Sequence, residues 1–348
     1  MKTIISLIIL GMLGGSLGAD KPNTGAAPGS FTRQDYANAM RDAIGGENPR
    51  VLELGMLGAH DAFTSGINRK SLPDPNNGDV DFLQNPVLRF FASGVVAQLS
   101  RTQKSSAYAL ARHGVRFFDA RVTYVDGVWY TSHGLISQAL EQVLRELIRF
   151  MSETGGEVLV ISFLGVAGNS NRALLDYLAT VTEGGKSILD YVRYDAAAIP
   201  LQQLRYRDVT KGGSGAVLLL QEEPGPKHYP RANAIWGRWH NTNDPERLLQ
   251  GIAEENQRIL DDPGWYKERF IWNQAQLTMQ TGWPDALRVL IDWSLLNMAR
   301  KFNRRLLPLL PETMAQLPIV GVDYADNMNG DWNDKVMEII SAYNRGLA

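Results

Sequence analysis

Continuous apolar runs alternating with helical periodicity constrain this chain of 348 residues more than any other feature. Residues 51–57, 115–122, 128–131, 157–163, 216–221, 270–274 and 317–322 read as strands. Between them, residues 138–153 carry Leu140, Val143, Leu144, Leu147 and Ile148 on one stripe of a 3.6-residue period. Residues 172–180, 248–259, 287–307 and 332–343 read the same way. Strands that are apolar along their whole length are buried on both faces, which predicts a parallel sheet covered by helices. Seven such strands fit a barrel better than a small open sheet, so the expected class is α/β, an irregular (β/α) TIM-type barrel. No internal repeat is visible, and one domain is expected over residues 32–348.

Composition narrows the chemistry. With 44% apolar and 21% charged residues a large core is available and global disorder is excluded. The 35 basic against 37 acidic residues lack the basic excess of a nucleic-acid binder. The absence of cysteine excludes disulfides, thiolate metal sites and a cysteine nucleophile. Lys2, an apolar run over 4–12 and Leu17-Gly18-Ala19 before Asp20 read as a signal peptide cleaved after Ala19. The run is short of the roughly 20 residues that a membrane span needs. The expectation is a leader over 1–19, a flexible Gly- and Pro-containing lead-in over 20–31, and a secreted or periplasmic mature protein.

The carboxyl ends of parallel barrel strands hold active sites. Here the first strand runs into Gly58-Ala59-His60-Asp61, and the second carries Arg116 and then Asp119-Ala120-Arg121. The third ends in Ser132-His133-Gly134, the last in Asp323-Tyr324. A lone histidine at a strand end is more often structural. Two of them, each close to a glycine that permits close approach, favour function. A pair of imidazoles can take one proton and give another near neutral pH. Arginine offers a fixed fork for phosphate oxygens, and neighbouring aspartates fix tautomers and stabilise imidazolium. The set spells phosphodiester cleavage by in-line displacement.

Leu57-Gly58-Ala59-His60-Asp61-Ala62, Gly114 to Arg121 (GVRFFDAR) and Ser132-His133-Gly134 together resemble the X-domain of phosphatidylinositol-specific phospholipases C. Residues 157–163 (EVLVISF) and 320–324 (VGVDY) extend the resemblance, in family order, across 50–325. It implies the irregular barrel reached independently, with His60 as general base on the inositol 2-hydroxyl and His133 as general acid for the diacylglycerol oxygen. It also implies that Asp61 supports His133 and Asp323 orients His60, with Asp119 in a supporting place. Calcium-dependent members carry an acid–x–acid pair where this chain has Asp119-Ala120-Arg121. The match is therefore to the bacterial type, in which an arginine faces the phosphate, and no catalytic metal and no cofactor are expected.

The chain also departs from the family. Bacterial members carry a lysine shortly after the Glu-led strand, where Ser162-Phe163-Leu164-Gly165 offers no cation. They carry an arginine near the end of the fifth strand, where this chain has Gln221-Glu222-Glu223. Glu222 and Glu223 are candidate substrate-binding acids, for sugar hydroxyls or a cationic headgroup; they read equally well as solvated loop acids. Phosphodiester chemistry is accordingly safer than phosphatidylinositol as substrate. Arg116, three residues before Asp119, falls on the opposite strand face and reads as a structural ion-pair residue. His113 reads as favouring a helix carboxyl end. Residues 74–81 and 326–334 look like calcium loops but lack the downstream glutamate of an EF-hand. Residues 82–99 read either as a buried helix or as a rim helix that dips Leu88, Phe90 and Phe91 into a bilayer. Trp236, Trp239, Trp265 and Trp283 lie on apparent loops and suit interfacial contact, or a core.

The function that the resemblance implies is that of a phosphorus–oxygen lyase acting on a phospholipid at a membrane surface, with no nucleic-acid partner and no obligatory protein partner expected. Rival readings are a phosphodiesterase on another headgroup or a glycosyl-phosphatidylinositol anchor, and a non-catalytic lipid- or sugar-binding barrel.

Overall fold

The computed structural model describes residues 34–165, 171–221, 223–279, 295–326 and 331–347. The strands of its main sheet are β1 (Met56–Ala59), β2 (Val115–Val125), β3 (Val128–His133), β4 (Leu135–Ala139) and β5 (Val158–Gly165). They continue as β6 (Gly215–Leu220), β7 (Tyr229–Pro230), β8 (Ile235–Trp236), β9 (Phe270–Gln274) and β10 (Ile319–Val322). The helices that cover the sheet or reach its rim are α1 (Ala39–Ile44), α2 (Pro86–Ser100), α3 (Ala107–Arg112) and α4 (Leu140–Glu153). After them come α5 (Asn171–Thr180), α6 (Arg231–Ala234), α7 (Pro245–Asp261), α8 (Leu295–Leu306) and α9 (Trp332–Arg345).

Eight strands form one curled parallel sheet in the order β8-β9-β10-β1-β2-β5-β6-β7. The last strand pairs with the first, Gly321 opposite Gly58, so the two chain ends of the barrel meet at its centre. Between β7 and β8 no ladder forms among the described residues, and the single turn of α6 spans that seam. Strands β1, β6 and β10 are buried at every position, as a sheet with helices on its outside requires. On α4 the predicted stripe is buried together with Phe150 and Met151, and it packs on the sheet.

Two readings of the sequence need correction. Residues 51–57 are not one strand: Val51–Glu53 form a turn of 3-10 helix, closed by the Glu53 carboxylate on the Arg50 backbone N–H, and the strand begins at Met56. Residues 128–131 are not part of the parallel set. They pair antiparallel with β2 through an Asp126-Gly127 turn whose φ values, 49° and 84°, are those of a tight hairpin. Apolar content cannot tell a hairpin arm from a barrel strand, whereas the Asp-Gly pair can. The helix read over 287–307 is present from Leu295, and residues 287–294 lie outside the described residues.

Candidate active site

His60 follows the last residue of β1, and its N–H donates to Val322 O on β10. Asp323 follows β10, so the two side chains emerge side by side, with His60 Nδ1 2.8 Å from Asp323 Oδ1. β2 overshoots the barrel rim, and its hairpin partner β3 carries His133 back towards it. There the Nδ1 of His133 faces the carbonyl of Ser100 at 2.8 Å. A carbonyl only accepts, so this contact places a proton on Nδ1 and leaves Nε2 facing the site. Gly134 follows at φ 70°, a conformation suited to glycine where the chain turns into β4.

Asp61 is the centre of the arrangement. One of its oxygens lies 3.1 Å from Nε2 of His133 and 3.3 Å from Nε2 of His60, and Arg121 Nε forms an ion pair with the other. The carboxylate is 1% exposed. Burial by itself would raise its pKa, but His133, His60 and Arg121 outweigh it and hold the group well below the usual carboxylate range. Its backbone is strained to match, with φ 39°; Phe63 and Tyr324, also beside the site, have φ 68° and 53°. Such positive values on non-glycine residues concentrate where function over-determines the backbone.

Burial would lower the pKa of His60, yet the charges of Asp61 and Asp323 and the hydrogen bond to Asp323 hold it up at about 9. Asp323 itself is pushed up by burial, with the His60 charge pulling the other way. Asp119, on β2 two residues before Arg121 and on the same face, is pushed up by burial and by Asp61.

The site therefore brings together His60, His133, Arg121, Asp61, Asp119 and Asp323. Of the acids read after β6, only Glu223 is among the described residues, and no contact joins it to these six. The Glu223 side chain is exposed and its carboxylate has no partner among the described residues; only its carbonyl is used, by His228 Nε2 at 2.8 Å. Glu222 lies outside the described residues. Arg116 faces away, as its strand position requires, and forms a 2.6 Å ion pair with buried Glu157. His113 does more than meet a helix end: its Nδ1 lies 2.7 Å from Oδ2 of buried Asp326.

Two residues of the site were not read from the sequence. Arg231, the first residue of α6, reaches from the seam to donate from Nε to Ser162 Oγ at 2.8 Å, with its NH2 3.8 Å from Asp119 Oδ1. No strand ends in a motif there, so no local signal marks it. Trp272 on β9 lies 6.0 Å from the His60 ring and across Gly321, where a Cβ would sit 1.7 Å from its Nε1. The glycine at 321, inside an otherwise branched apolar strand, was a legible sign of close approach.

His60, Asp61 and Asp119 offer ligand atoms within 4.8 Å of one another. The surroundings fit a divalent cation poorly. A hard cation takes about six or more oxygens, whereas here the Asp61 carboxylate already faces Arg121 and two imidazoles.

Fold and site thus define an α/β barrel with a paired-histidine, arginine-assisted centre at its carboxyl rim. No family model matches the chain. A PI-PLC X-box domain-containing protein of Dictyostelium discoideum is 29% identical over 134 residues, 38% of this chain and 17% of the relative. A second Dictyostelium discoideum protein, named for a PI-PLC X domain, is 31% identical over 106 residues, again 17% of its length. The match thus spans about a sixth of these two relatives. The human PI-PLC X domain-containing protein 3 is 25% identical over 313 residues, covering 86% of this chain and 91% of its own. Among solved structures, phosphatidylinositol-specific phospholipase C of Staphylococcus aureus superposes with a TM-score of 0.62 at 16% identity, over 88% of this chain and 97% of that one. The Listeria monocytogenes enzyme gives 0.55 at 14% identity, over 88% and 98%. The chain is a relative of the PI-PLC X-domain proteins and has the barrel of the bacterial phosphatidylinositol-specific phospholipases C.

Proposed function

We propose that this protein is an exported, metal-independent phosphodiesterase of the phospholipase C type, cleaving a phospholipid by attack of a headgroup hydroxyl. The observation that carries the reading is the convergence of His60, His133 and Arg121 on the single carboxylate of Asp61. In-line phosphoryl displacement needs those three functions within one phosphate's reach.

The chemistry balances without a co-reactant. The headgroup hydroxyl gives its proton to Nε2 of neutral His60 as its oxygen bonds to phosphorus. The bond from phosphorus to the glycerol oxygen breaks, and His133 protonates that oxygen. The products are a cyclic phosphate and diacylglycerol. Arg121 faces the charge that builds on the non-bridging oxygens, the role in which a fixed, always-protonated fork is most effective. Asp323 orients His60. Asp61 keeps both imidazoles turned inward.

Contact with a lipid surface is supported by what the rim exposes. Phe90 and Val87 on the first turns of α2 are 81% and 63% exposed, and Trp239, just past β8, is 57% exposed. The Leu88 side chain is half-buried. Trp265 and Trp236 stack edge-to-face, centroids 5.4 Å apart, beside the amino end of β9, away from that rim. Trp283 lies outside the described residues, of which no helix is long and apolar enough to cross a membrane. Export rests on the leader read over 1–19, also outside them.

A second reading, a headgroup other than inositol, is favoured by the ends of β5 and β6. Leu164 and Gly165 carry no cation, Gln221 is used on the Gly165 N–H at 2.9 Å, and the guanidinium beside β5, that of Arg231, arrives from α6 and is taken by Ser162 and Asp119. Diacylglycerol release from phosphatidylinositol and from phosphatidylglycerol vesicles, both of which carry a hydroxyl next to the phosphate ester, tests the two readings together. Cleavage of phosphatidylinositol alone supports inositol recognition, and cleavage of phosphatidylglycerol alone supports the second reading. Release from neither lipid by the folded protein would overturn the proposal for these substrates.

A further inference from the structure

The ladder between β1 and β10 ends with the His60 N–H on Val322 O, and beyond it His60 O and the Ala325 N–H need other partners. One buried residue supplies them. Gln103 is 0% exposed, and its Nε2 donates to His60 O at 3.1 Å and to Val322 O at 3.0 Å. Its Oε1 accepts from the Ala325 N–H at 3.0 Å. One carbonyl is that of His60 and the other that of the residue before Asp323, and the amide lies two residues past Asp323. A single primary amide thus ties the backbone on both sides of the His60–Asp323 contact.

Gln103 is itself held rigidly. Its N–H and that of Thr102 both donate to Thr64 Oγ1 at 3.0 Å, and Thr102 Oγ1 donates to Asp61 O at 2.7 Å. The Tyr324 N–H donates to Thr102 O at 2.7 Å. Thr64, Thr102 and Gln103 are fully buried, so these bonds form away from competing water. Only an uncharged side chain with two donors and an acceptor in one plane satisfies the two carbonyls and the amide together.

We infer that Gln103 is a positioning residue of the His60–Asp323 pair, fixing the separation of the β1 and β10 ends from which the two side chains project. The inference rests on the reading of His60 as general base. It does not depend on which headgroup is cleaved.

Gln103→Met keeps the approximate volume and loses all three side-chain bonds. Gln103→Glu keeps the acceptor for Ala325 and replaces the donors by oxygen. Both are assayed against wild type on a water-soluble phosphodiester, with the pH dependence of kcat/KM recorded. Displacement of a reacting group by about 1 Å costs on the order of 100-fold. The expected result for Gln103→Met is therefore a kcat lower by about that factor, with KM within about twofold. The pH limb assigned to His60 moves towards acid, because the Asp323 contact that holds it near 9 is loosened. Gln103→Glu is expected to show the same fall in kcat with KM kept, which secures the test if Gln103→Met fails to fold; its added carboxylate itself favours imidazolium, so its limb does not move towards acid. A folded variant with unchanged kcat would overturn the inference, as would Gln103→Met with a lower kcat and its pH limb in place. Wild-type protein that shows no limb dependent on Asp323 would instead remove the general-base reading on which the inference stands.

Discussion

His60 and Asp323 are 263 residues apart in the chain and meet at 2.8 Å. Their meeting is a consequence of barrel topology, since the last strand pairs with the first in register, Ala59 opposite Val322. The next residue on each strand must then leave the ladder at the same level. The imidazole and the carboxylate are thereby placed by backbone pairing, before any side-chain packing is considered.

That contact sets the pH dependence. Against the effect of burial, the Asp61 and Asp323 carboxylates favour the imidazolium form of His60 and push its pKa up to about 9 from an ordinary value of about 6.5. The proposed general base acts as the neutral imidazole, so kcat/KM on a soluble substrate should rise with pH towards 9. Asp323→Asn removes the charge, so the limb should move to lower pH by more than about one unit. A limb that stays in place would show that another group titrates there.

The two histidines should separate by leaving group. His60→Ala and His133→Ala each lose a proton-transfer partner, at about 100- to 10,000-fold in kcat. With p-nitrophenolate as leaving group no proton is needed on departure. His133→Ala should then recover most of its activity and His60→Ala should not. Equal recovery, or none, would contradict the assignment of acid and base.

Arg116 should matter to stability and not to chemistry. Its pair with Glu157 is buried, and it also donates to Ala111 O at 2.6 Å and Tyr36 O at 2.8 Å. Removing one member of such a pair costs about 3–5 kcal/mol. Arg116→Met should lower the urea midpoint accordingly while the folded fraction keeps its kcat. An active-site role would appear as a kcat change at full folding.

Gly321→Ala would place a methyl group into the Trp272 indole. Overpacking of this kind costs roughly 1–3 kcal/mol. Because that ring lies 6.0 Å from His60, the variant should also lose activity, and a Trp272→Phe background should relieve both. Stability and activity unchanged in Gly321→Ala would mean the ring moves freely.

Phe90→Ser should weaken partition onto phosphatidylinositol vesicles by about tenfold, for a large apolar side chain leaving water is worth about 1.5–3 kcal/mol. Hydrolysis of a monomeric soluble substrate should not change. Sedimentation with vesicles that is equal to wild type would remove α2 from the membrane face.

Much of this site was legible because its residues stand beside strand ends. His60, Asp61, Asp119, Arg121, His133 and Asp323 each adjoin or lie in an apolar run, and local pattern marks such ends. Arg231 and Gln103 adjoin no such run. The first arrives on a single turn of helix across the barrel seam, and the second follows a rim helix; both are placed by tertiary structure alone. Pairing direction was likewise invisible in apolar content, which is why residues 128–131 read as a barrel strand. Glu223 is exposed, and its place in the sequence near a strand end says nothing of where a loop side chain turns.

Paired histidines and Arg121 are expected to cleave a phospholipid to a cyclic phosphate without a metal. Residues 20–348, purified, are to be followed on phosphatidylinositol vesicles in excess chelator by phosphorus NMR. The expected result is a cyclic inositol phosphate signal that disappears in His60→Ala and His133→Ala. No signal in chelator, with recovery on adding calcium, would contradict the account, since Arg121 would then not stand in the place of a metal.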